Sequence, residues 1–248
     1  MTPAAARSTP TGSATPAIPP RPAIVAALHD EARTLVVRGA PRPDAVRAEI
    51  SGVGFERATR TGRALVARGA TALMSWGTAG ALDVAARPGE VLIYRAVRWR
   101  DGAEYACDPA WVAALAVRLA PLAPRVVLGL SSPHAVFDEA ERRALHAATG
   151  ATAVDMETAA LAAVAADAGI PFVALRCVVD PVGFAVPRSA IAGLAPDGTS
   201  RPGRTIATLV KRPYELPDLL RLASWYRLAL KQLRAAAGHC RPDFAYRP

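Results

Sequence analysis

Three carboxylates and one threonine follow apolar stretches of the chain, at the points where buried strands would end. Glu31 follows residues 23–28, Thr78 follows 71–76, Glu157 follows 151–156 and Asp180 follows 171–179. Ligands of an α/β sheet bind outside the carboxyl ends of its strands. We therefore expect these four side chains to converge on one edge of a sheet, where carboxyl groups can hold and transfer protons.

Each of these residues also has an ordinary structural explanation. Glu31 and Glu157 fit the first turn of a helix, where an acidic side chain favours the helix dipole or caps the backbone. Asp180 stands before a proline, a combination typical of turns. Residues 77–80 fit a turn that leads from a strand into a helix. Taken singly, the four residues do not distinguish catalysis from local structure.

The apolar pattern predicts an α/β fold, because apolar stretches alternate with helical patterns of about a dozen residues. Strands are predicted at residues 23–28, 46–54, 71–76, 91–97, 125–130, 151–156 and 171–179, and helices at 55–68, 138–149, 157–168 and 217–236, with another after Asp108. We expect residues 1–21 to be a disordered tail and residues 22–248 a single domain. Residues 183–213, rich in glycine and proline, are expected to form a mobile surface segment.

Composition excludes several classes of protein. Of the 248 residues 52% are apolar, and no stretch of 18 apolar residues lacks charge, so the chain can bury a core but has no membrane-spanning helix. The net charge is +9, of which residues 201–248 carry +7. No aromatic or zinc-finger spacing accompanies the basic residues, so nucleic acid is not expected as a partner. The scattered cysteines and histidines predict a reducing, cytoplasmic location and no metal site.

Five motifs in order carry a resemblance to a known family. They are residues 23–31, 51–54, 77–82, 154–160 and 171–180. The fourth resembles the signature V-E-M-E-x-x-A, and the fifth P-F-x-x-x-R-x-x-S-D, of the nucleoside phosphorylase and methylthioadenosine/adenosylhomocysteine nucleosidase superfamily. The resemblance covers residues 22–190. It implies a three-layer α/β sandwich with a mostly parallel central mixed sheet, in which residues 22–248 form a catalytic domain that cleaves a ribosyl N-glycosidic bond.

The resemblance implies a role for each candidate residue. Asp180 matches the general acid that protonates the purine, and Glu31 matches the residue that activates water in hydrolytic members. Glu157 matches the carboxylate that binds the ribose hydroxyls, and so a purine nucleoside is the implied small-molecule partner. Further substrate contacts are implied for Gly77, Thr78, Val154 and Met156, the last of which also fits the apolar core.

Two departures from the family pattern leave the nucleophile open. Val179 stands where the family has a serine before the acid, which puts the orientation of Asp180 in question. Ser75 stands where bacterial phosphorylases have a phosphate-binding arginine, which favours water. Arg33 or Arg57 offers another place for phosphate, so hydrolysis and phosphorolysis with inorganic phosphate as co-substrate both stay open. No metal, flavin or nicotinamide cofactor is implied.

The C-terminal part resembles the hopanoid-associated phosphorylase branch, through residues 195–198, 211–213 and 216–217 and the basic helix at 217–236. The resemblance implies adenosylhopane, a lipid-linked nucleoside, as the substrate and a homodimer as the assembly. The apolar face of the helix favours packing on the domain. The alternative is peripheral contact with an anionic surface of the inner membrane. A soluble methylthioadenosine/adenosylhomocysteine nucleosidase and a non-catalytic nucleoside-binding protein are the other functions left open.

Overall fold

A computed structural model describes residues 22–36, 48–193, 195, 197–199 and 201–246. The predicted tail at residues 1–21 and the start of the strand predicted at 46–54 lie outside the described residues. The division of the chain into a tail and one domain therefore stays a prediction.

The described residues form a mixed sheet of eight strands with helices packed on it. The strands are β1 Ala23–Ala26, β2 Ala48–Ile50, β3 Leu73–Ala81, β4 Val91–Trp99, β5 Glu104–Ala106, β6 Arg125–Ser131, β7 Ala153–Asp155 and β8 Phe172–Val178. The α-helices are α1 His29–Thr34, α2 Phe55–Ala67, α3 Pro109–Arg118, α4 Glu139–Thr149, α5 Thr158–Asp167, α6 Arg188–Ala192, α7 Pro202–Lys211 and α8 Leu216–Cys240.

Five of the strands close into a ring. The order along the sheet is β2-β1-β3-β7-β6-β4-β5, and β8 pairs with both β3 and β4, which closes the ring β3-β7-β6-β4-β8. The β3–β7, β4–β5 and β4–β8 pairs are antiparallel, and the other strand pairs are parallel. The predicted α/β fold with a mostly parallel mixed sheet is confirmed, and the sheet also closes partly on itself.

The strand β3 is longer than predicted, because the turn expected at residues 77–80 belongs to it. In register, Gly77 pairs with Arg176 and Thr78 with Cys177 of β8, and Gly80 pairs with Val154 of β7. Partners on both sides outweigh the weak strand propensity of glycine. Thr78 therefore lies inside a strand, and the next element is β4 rather than a helix.

Other elements differ from the prediction mainly in length. The strand β2, described from Ala48 onwards, ends at Ile50 and not at residue 54, because Gly52 and Gly54 adopt positive φ angles of 78° and 104° and turn the chain away. The segment 183–213, expected to be mobile, contains α6 and α7. The helices α3 and α4 begin where expected, after Asp108 and Asp138, whose side chains accept backbone N–H bonds as N-caps.

The long helix α8 packs on the domain, as its apolar face predicts. Ala229, Leu233 and Ala236 are buried, whereas Leu220 and Leu228 are exposed. In the described part of the chain, every helix is too short or too polar to cross a bilayer.

Candidate functional site

The carboxylate of Glu31 is fixed against the middle of β3. Its Oε1 accepts hydrogen bonds from the Thr78 N–H at 2.8 Å and the Thr78 hydroxyl at 2.7 Å, and its Oε2 accepts one from the Leu28 N–H at 3.1 Å. A Cβ atom at Gly77 would lie 2.8 Å from both carboxylate oxygens, so the close approach requires glycine there. Glu31 thus stabilises the start of α1 and also joins α1 to β3.

Burial raises the pKa of Glu31, while the charge of Arg176 and the Thr78 hydrogen bonds act in the opposite direction. The side chain is 3% exposed. A buried carboxyl group whose pKa is raised towards neutrality can exchange a proton in the pH range in which enzymes work.

Glu157 stands directly before α5 but does not cap it. Its Oε1 accepts a hydrogen bond from the Gly54 N–H at 2.7 Å. The N-cap function falls to Asp155, whose Oδ1 accepts the N–H groups of Glu157 and Thr158 at 3.1 and 2.9 Å. The Glu157 carboxylate is therefore turned away from its own helix, and the capping explanation for it is wrong.

The pKa of Glu157 is raised to about 7, first by burial and then by the nearby Asp155 carboxylate. The Gly54 hydrogen bond and the Arg176 charge lower the pKa, and Glu31 raises it. The mutual influence of Glu157 and Glu31 shows that the two carboxylates share one charged environment.

Beneath these carboxylates lies a buried ion pair between Asp155 and Arg176. Arg176 Nε donates to Asp155 Oδ2 at 3.1 Å, and its Nη2 donates to Ser75 Oγ at 2.7 Å and Thr158 Oγ1 at 2.6 Å. The Ser131 hydroxyl donates to Asp155 Oδ1 at 2.7 Å. Because every member has hydrogen-bond partners, the network can fix β3, β7, β8 and α5 relative to one another.

Asp180 lies at the end of β8, where its carboxylate packs against Gly80 of β3. A Cβ atom at Gly80 would be 3.3 Å from Asp180 Oδ2. The same oxygen accepts a hydrogen bond from Nη2 of the buried Arg142. Burial raises the pKa of Asp180, and the Arg142 charge and hydrogen bond lower it.

The structure places Glu31, Thr78 and Asp180 along the second half of β3, and Glu157 within the electrostatic influence of Glu31. Glu31 bonds to Thr78, Asp180 contacts Gly80 two residues further along, and Glu157 shares the charges of Glu31 and Arg176. Gly77 contacts Glu31, as described above. Of the other predicted contacts, Val154 pairs with Gly80 and packs in a small apolar cluster, and Met156 is half-buried.

A cavity of about 460 Å³ opens at the start of α1. It is lined by Leu28, His29, Asp30, Arg33, Gly198, Thr199 and Tyr226, and in the described part of the chain none of the four predicted residues lines it. It is connected to the site through Leu28, whose N–H binds Glu31. Arg33, a predicted phosphate ligand, is exposed here and pairs with Asp30 at 2.8 Å. Arg57, the second arginine considered as a phosphate ligand, is also exposed.

No functional role was predicted from the sequence for Asp155, Arg176 and Arg142. A signal for two of them exists, since Arg176 is the one charge in the apolar strand β8 and Asp155 ends the apolar strand β7. Opposite charges that are both buried are expected to pair. Nothing in the sequence distinguishes Arg142 from the adjacent exposed Arg143.

Comparison with known families identifies one that matches most of the chain. A sequence model of the Phosphorylase superfamily matches residues 15–211. No curated protein matches the chain.

Several solved structures share the fold at low sequence identity. Futalosine hydrolase of Helicobacter pylori is 15% identical with a TM-score of 0.63, and the match covers 88% of this chain and 97% of that one. The 5′-methylthioadenosine/S-adenosylhomocysteine nucleosidase of Neisseria meningitidis, in complex with methylthio-immucillin-A, is 17% identical with a TM-score of 0.63 and coverages of 90% and 96%. The S-adenosylhomocysteine nucleosidase of Streptococcus pyogenes is 20% identical with a TM-score of 0.61 and coverages of 91% and 99%.

Proposed function

This chain belongs to the phosphorylase superfamily and is an enzyme that cleaves N-glycosyl bonds; we propose that it releases adenine from a 5′-substituted adenosine. The observation that carries the proposal is a set of three buried carboxylates: Glu31 and Asp180 contact β3 at Gly77 and Gly80, and Glu157 lies within the electrostatic influence of Glu31. Burial raises the pKa of each of them. A raised pKa brings a carboxyl group closer to the pH range in which it can act as an acid or a base.

In this reaction a proton passes from Asp180 to N7 of adenine, and the electron pair of the C1′–N9 bond leaves with the base. Glu157 accepts hydrogen bonds from the ribose hydroxyls while positive charge develops at C1′. A water molecule adds its oxygen to C1′, and Glu31 takes the proton that the water loses. The products are neutral adenine and the free sugar, and exchange with solvent returns both carboxyl groups to their starting states.

We favour water over phosphate as the nucleophile. Ser75 replaces the arginine expected of a phosphorylase, and its hydroxyl is occupied by Arg176. Arg33 and Arg57 are exposed, and Arg33 already pairs with Asp30. Adenine release measured with and without inorganic phosphate tests this choice: we expect equal rates, and strict dependence on phosphate would overturn it.

The role of Asp180 is tested by Asp180→Asn. We expect adenine release to be abolished while circular dichroism and the melting temperature show a folded protein. An unchanged rate would remove Asp180 from the mechanism. If the wild-type chain binds nucleosides but releases no adenine from any of them, it is a binding protein and the proposal fails.

A finer proposal, based on the sequence resemblance, is that the 5′ substituent is a hopane and that the enzyme contacts an anionic membrane. The exposed apolar residues of α7 support it, because Ile206 and Val210 are 61% and 76% exposed and lie one helical turn apart. Arg204 and Lys211 are exposed on the same helix. Apolar side chains flanked by cations suit a surface of anionic lipid.

Sedimentation with phosphatidylglycerol vesicles tests the membrane contact. We expect the double variant Ile206→Ser, Val210→Ser to lose most vesicle binding. The matched control is Val117→Ser on α3, where the valine is 77% exposed but lies outside the basic segment. Equal binding of both variants, or none by the wild type, would contradict the membrane proposal.

A second candidate substrate is a small nucleoside such as methylthioadenosine or adenosylhomocysteine. The observation that favours it is the set of polar side chains, His29, Asp30, Arg33 and Thr199, in the cavity at the start of α1, which can hydrogen-bond a short polar substituent. Measurement of kcat/KM for these nucleosides and for adenosylhopane distinguishes the two candidate substrates. Faster turnover of the small nucleosides would exclude the hopane proposal and leave adenine release intact.

We also propose a homodimer, on the resemblance alone. Sedimentation equilibrium at several protein concentrations gives the mass directly. A single species of 25.9 kDa would contradict this proposal.

A further inference from the structure

The guanidinium group of Arg142 is fixed in place by three acceptors. Arg142 lies in the first turn of α4 and is 1% exposed. Its Nε donates to the Val136 carbonyl at 3.0 Å, its Nη1 to the Pro181 carbonyl at 3.2 Å, and its Nη2 to Asp180 Oδ2. Because the guanidinium is planar and each nitrogen is engaged, it cannot rotate without breaking a bond.

Asp180 is confined on its other side by β3. Its backbone carbonyl accepts the Ala81 N–H at 2.9 Å, and its carboxylate lies directly on Gly80. The carboxylate accepts the Arg142 guanidinium at Oδ2, and the backbone N–H of Asp180 itself also acts on it. Arg142 is therefore the side chain that holds one oxygen of this carboxylate.

We propose that Arg142 is the positioning residue for Asp180: it fixes Oδ2, so that Oδ1 faces the purine. This inference rests on the proposed function, in which Asp180 protonates the base. It also accounts for Val179, since Arg142 orients the acid where the family pattern has a serine beside it.

Among the described elements packed against Asp180 (β3, α4 and the loop after β8), Arg142 is the charged side chain that acts on its carboxyl group. An opposite charge beside an aspartate lowers its pKa by roughly 1–3 units. Removal of the guanidinium leaves burial unopposed, so the Asp180 pKa rises and the carboxyl group gives up its proton less readily.

The experiment compares Arg142→Met with Arg142→Lys. Met removes the charge at similar length, whereas Lys keeps a charge without the planar fork. The Asp180 pKa is measured by carbon NMR of the carboxyl group, with Asp180→Asn to assign the signal. The second readout is kcat for adenine release, and thermal melting shows that each variant is folded.

We expect Arg142→Met to raise the Asp180 pKa, because the charge that lowers it is lost. We also expect kcat to fall by about 100-fold, because a misplaced catalytic group costs that much. Arg142→Lys is expected to keep the pKa near the wild-type value and to recover part of kcat. A folded Arg142→Met with unchanged pKa and kcat would overturn the inference. If no nucleoside yields adenine, the proposed function fails, while the NMR titration still tests the pair.

Discussion

At the scale of single residues, the charge balance of the site is set by Glu157. It is surrounded by the carboxylates of Asp155 and Glu31, and the Arg176 cation is shared among all three. A ribose hydroxyl needs an acceptor, and a carboxyl group accepts best when ionised. With the ribose bound by Glu157 as proposed, the raised pKa of this residue makes substrate binding sensitive to pH in the neutral range.

We predict that kcat/KM of the wild-type enzyme rises with pH through an apparent pKa of about 7, as Glu157 loses its proton. Glu157→Gln should lack this rise and should lower kcat/KM by about 100-fold, the typical loss of one hydrogen-bonding group at a reacting centre. Glu49→Gln, on the exposed side of β2, is the matched control and should keep the wild-type profile. If the rise in kcat/KM persists in Glu157→Gln, the titrating group is a different residue.

The same residue links stability to pH. Since the folded pKa of about 7 lies above the ordinary value of 4.5, the folded state binds more protons between these values. Stability due to Glu157 therefore falls as pH rises through this window. Melting temperatures measured from pH 5 to pH 8 should favour Glu157→Gln over the wild type increasingly towards pH 8. A difference that is constant with pH would contradict the assignment.

At the scale of elements, β3 carries the site because its glycines let side chains from other elements approach its backbone. We predict that Gly77→Ala displaces the Glu31 carboxylate, since the new Cβ would lie 2.8 Å from it. A displacement near 1 Å lowers kcat by about 100-fold. The control is Gly238→Ala in α8, where a Cβ meets open space. Wild-type kcat in Gly77→Ala would show that Glu31 has no catalytic role.

The elements that could be predicted from the sequence are those whose own residues carry the pattern of a strand or a helix. The strand β8 was predicted from its continuous apolar residues, and α3 and α4 from the aspartates that cap them. The extent of β3 was mispredicted, because residues 77–80 become a strand only through their partners on β7 and β8. The meeting of Glu31, Glu157 and Asp180 was expected from their places after strands. The contact between Arg142 and Asp180 was not expected, because the two residues are 38 positions apart and no local pattern marks Arg142.

At the scale of the whole molecule, the buried Asp155–Arg176 pair joins two sides of the closed ring of strands. Asp155 ends β7 and Arg176 lies in β8, and both strands pair with β3. The side chains are 2% and 4% exposed, so water does not compensate either charge. Removal of either partner would therefore leave an uncompensated charge buried next to the candidate site.

We predict that Arg176→Met lowers the free energy of unfolding by about 3–5 kcal/mol, because it leaves Asp155 buried without its partner. That is a large part of the roughly 5–15 kcal/mol typical of a domain. The control is Arg98→Met, which breaks the partly exposed Arg98–Glu104 pair and should cost about 0–1 kcal/mol. The double variant Arg176→Met, Asp155→Leu should be more stable than Arg176→Met alone, since an apolar pair leaves no buried charge. Urea denaturation gives the free energy of unfolding of the wild type and the three variants. Equal losses of this free energy in Arg176→Met and Arg98→Met would show that the ion pair does not stabilise the ring.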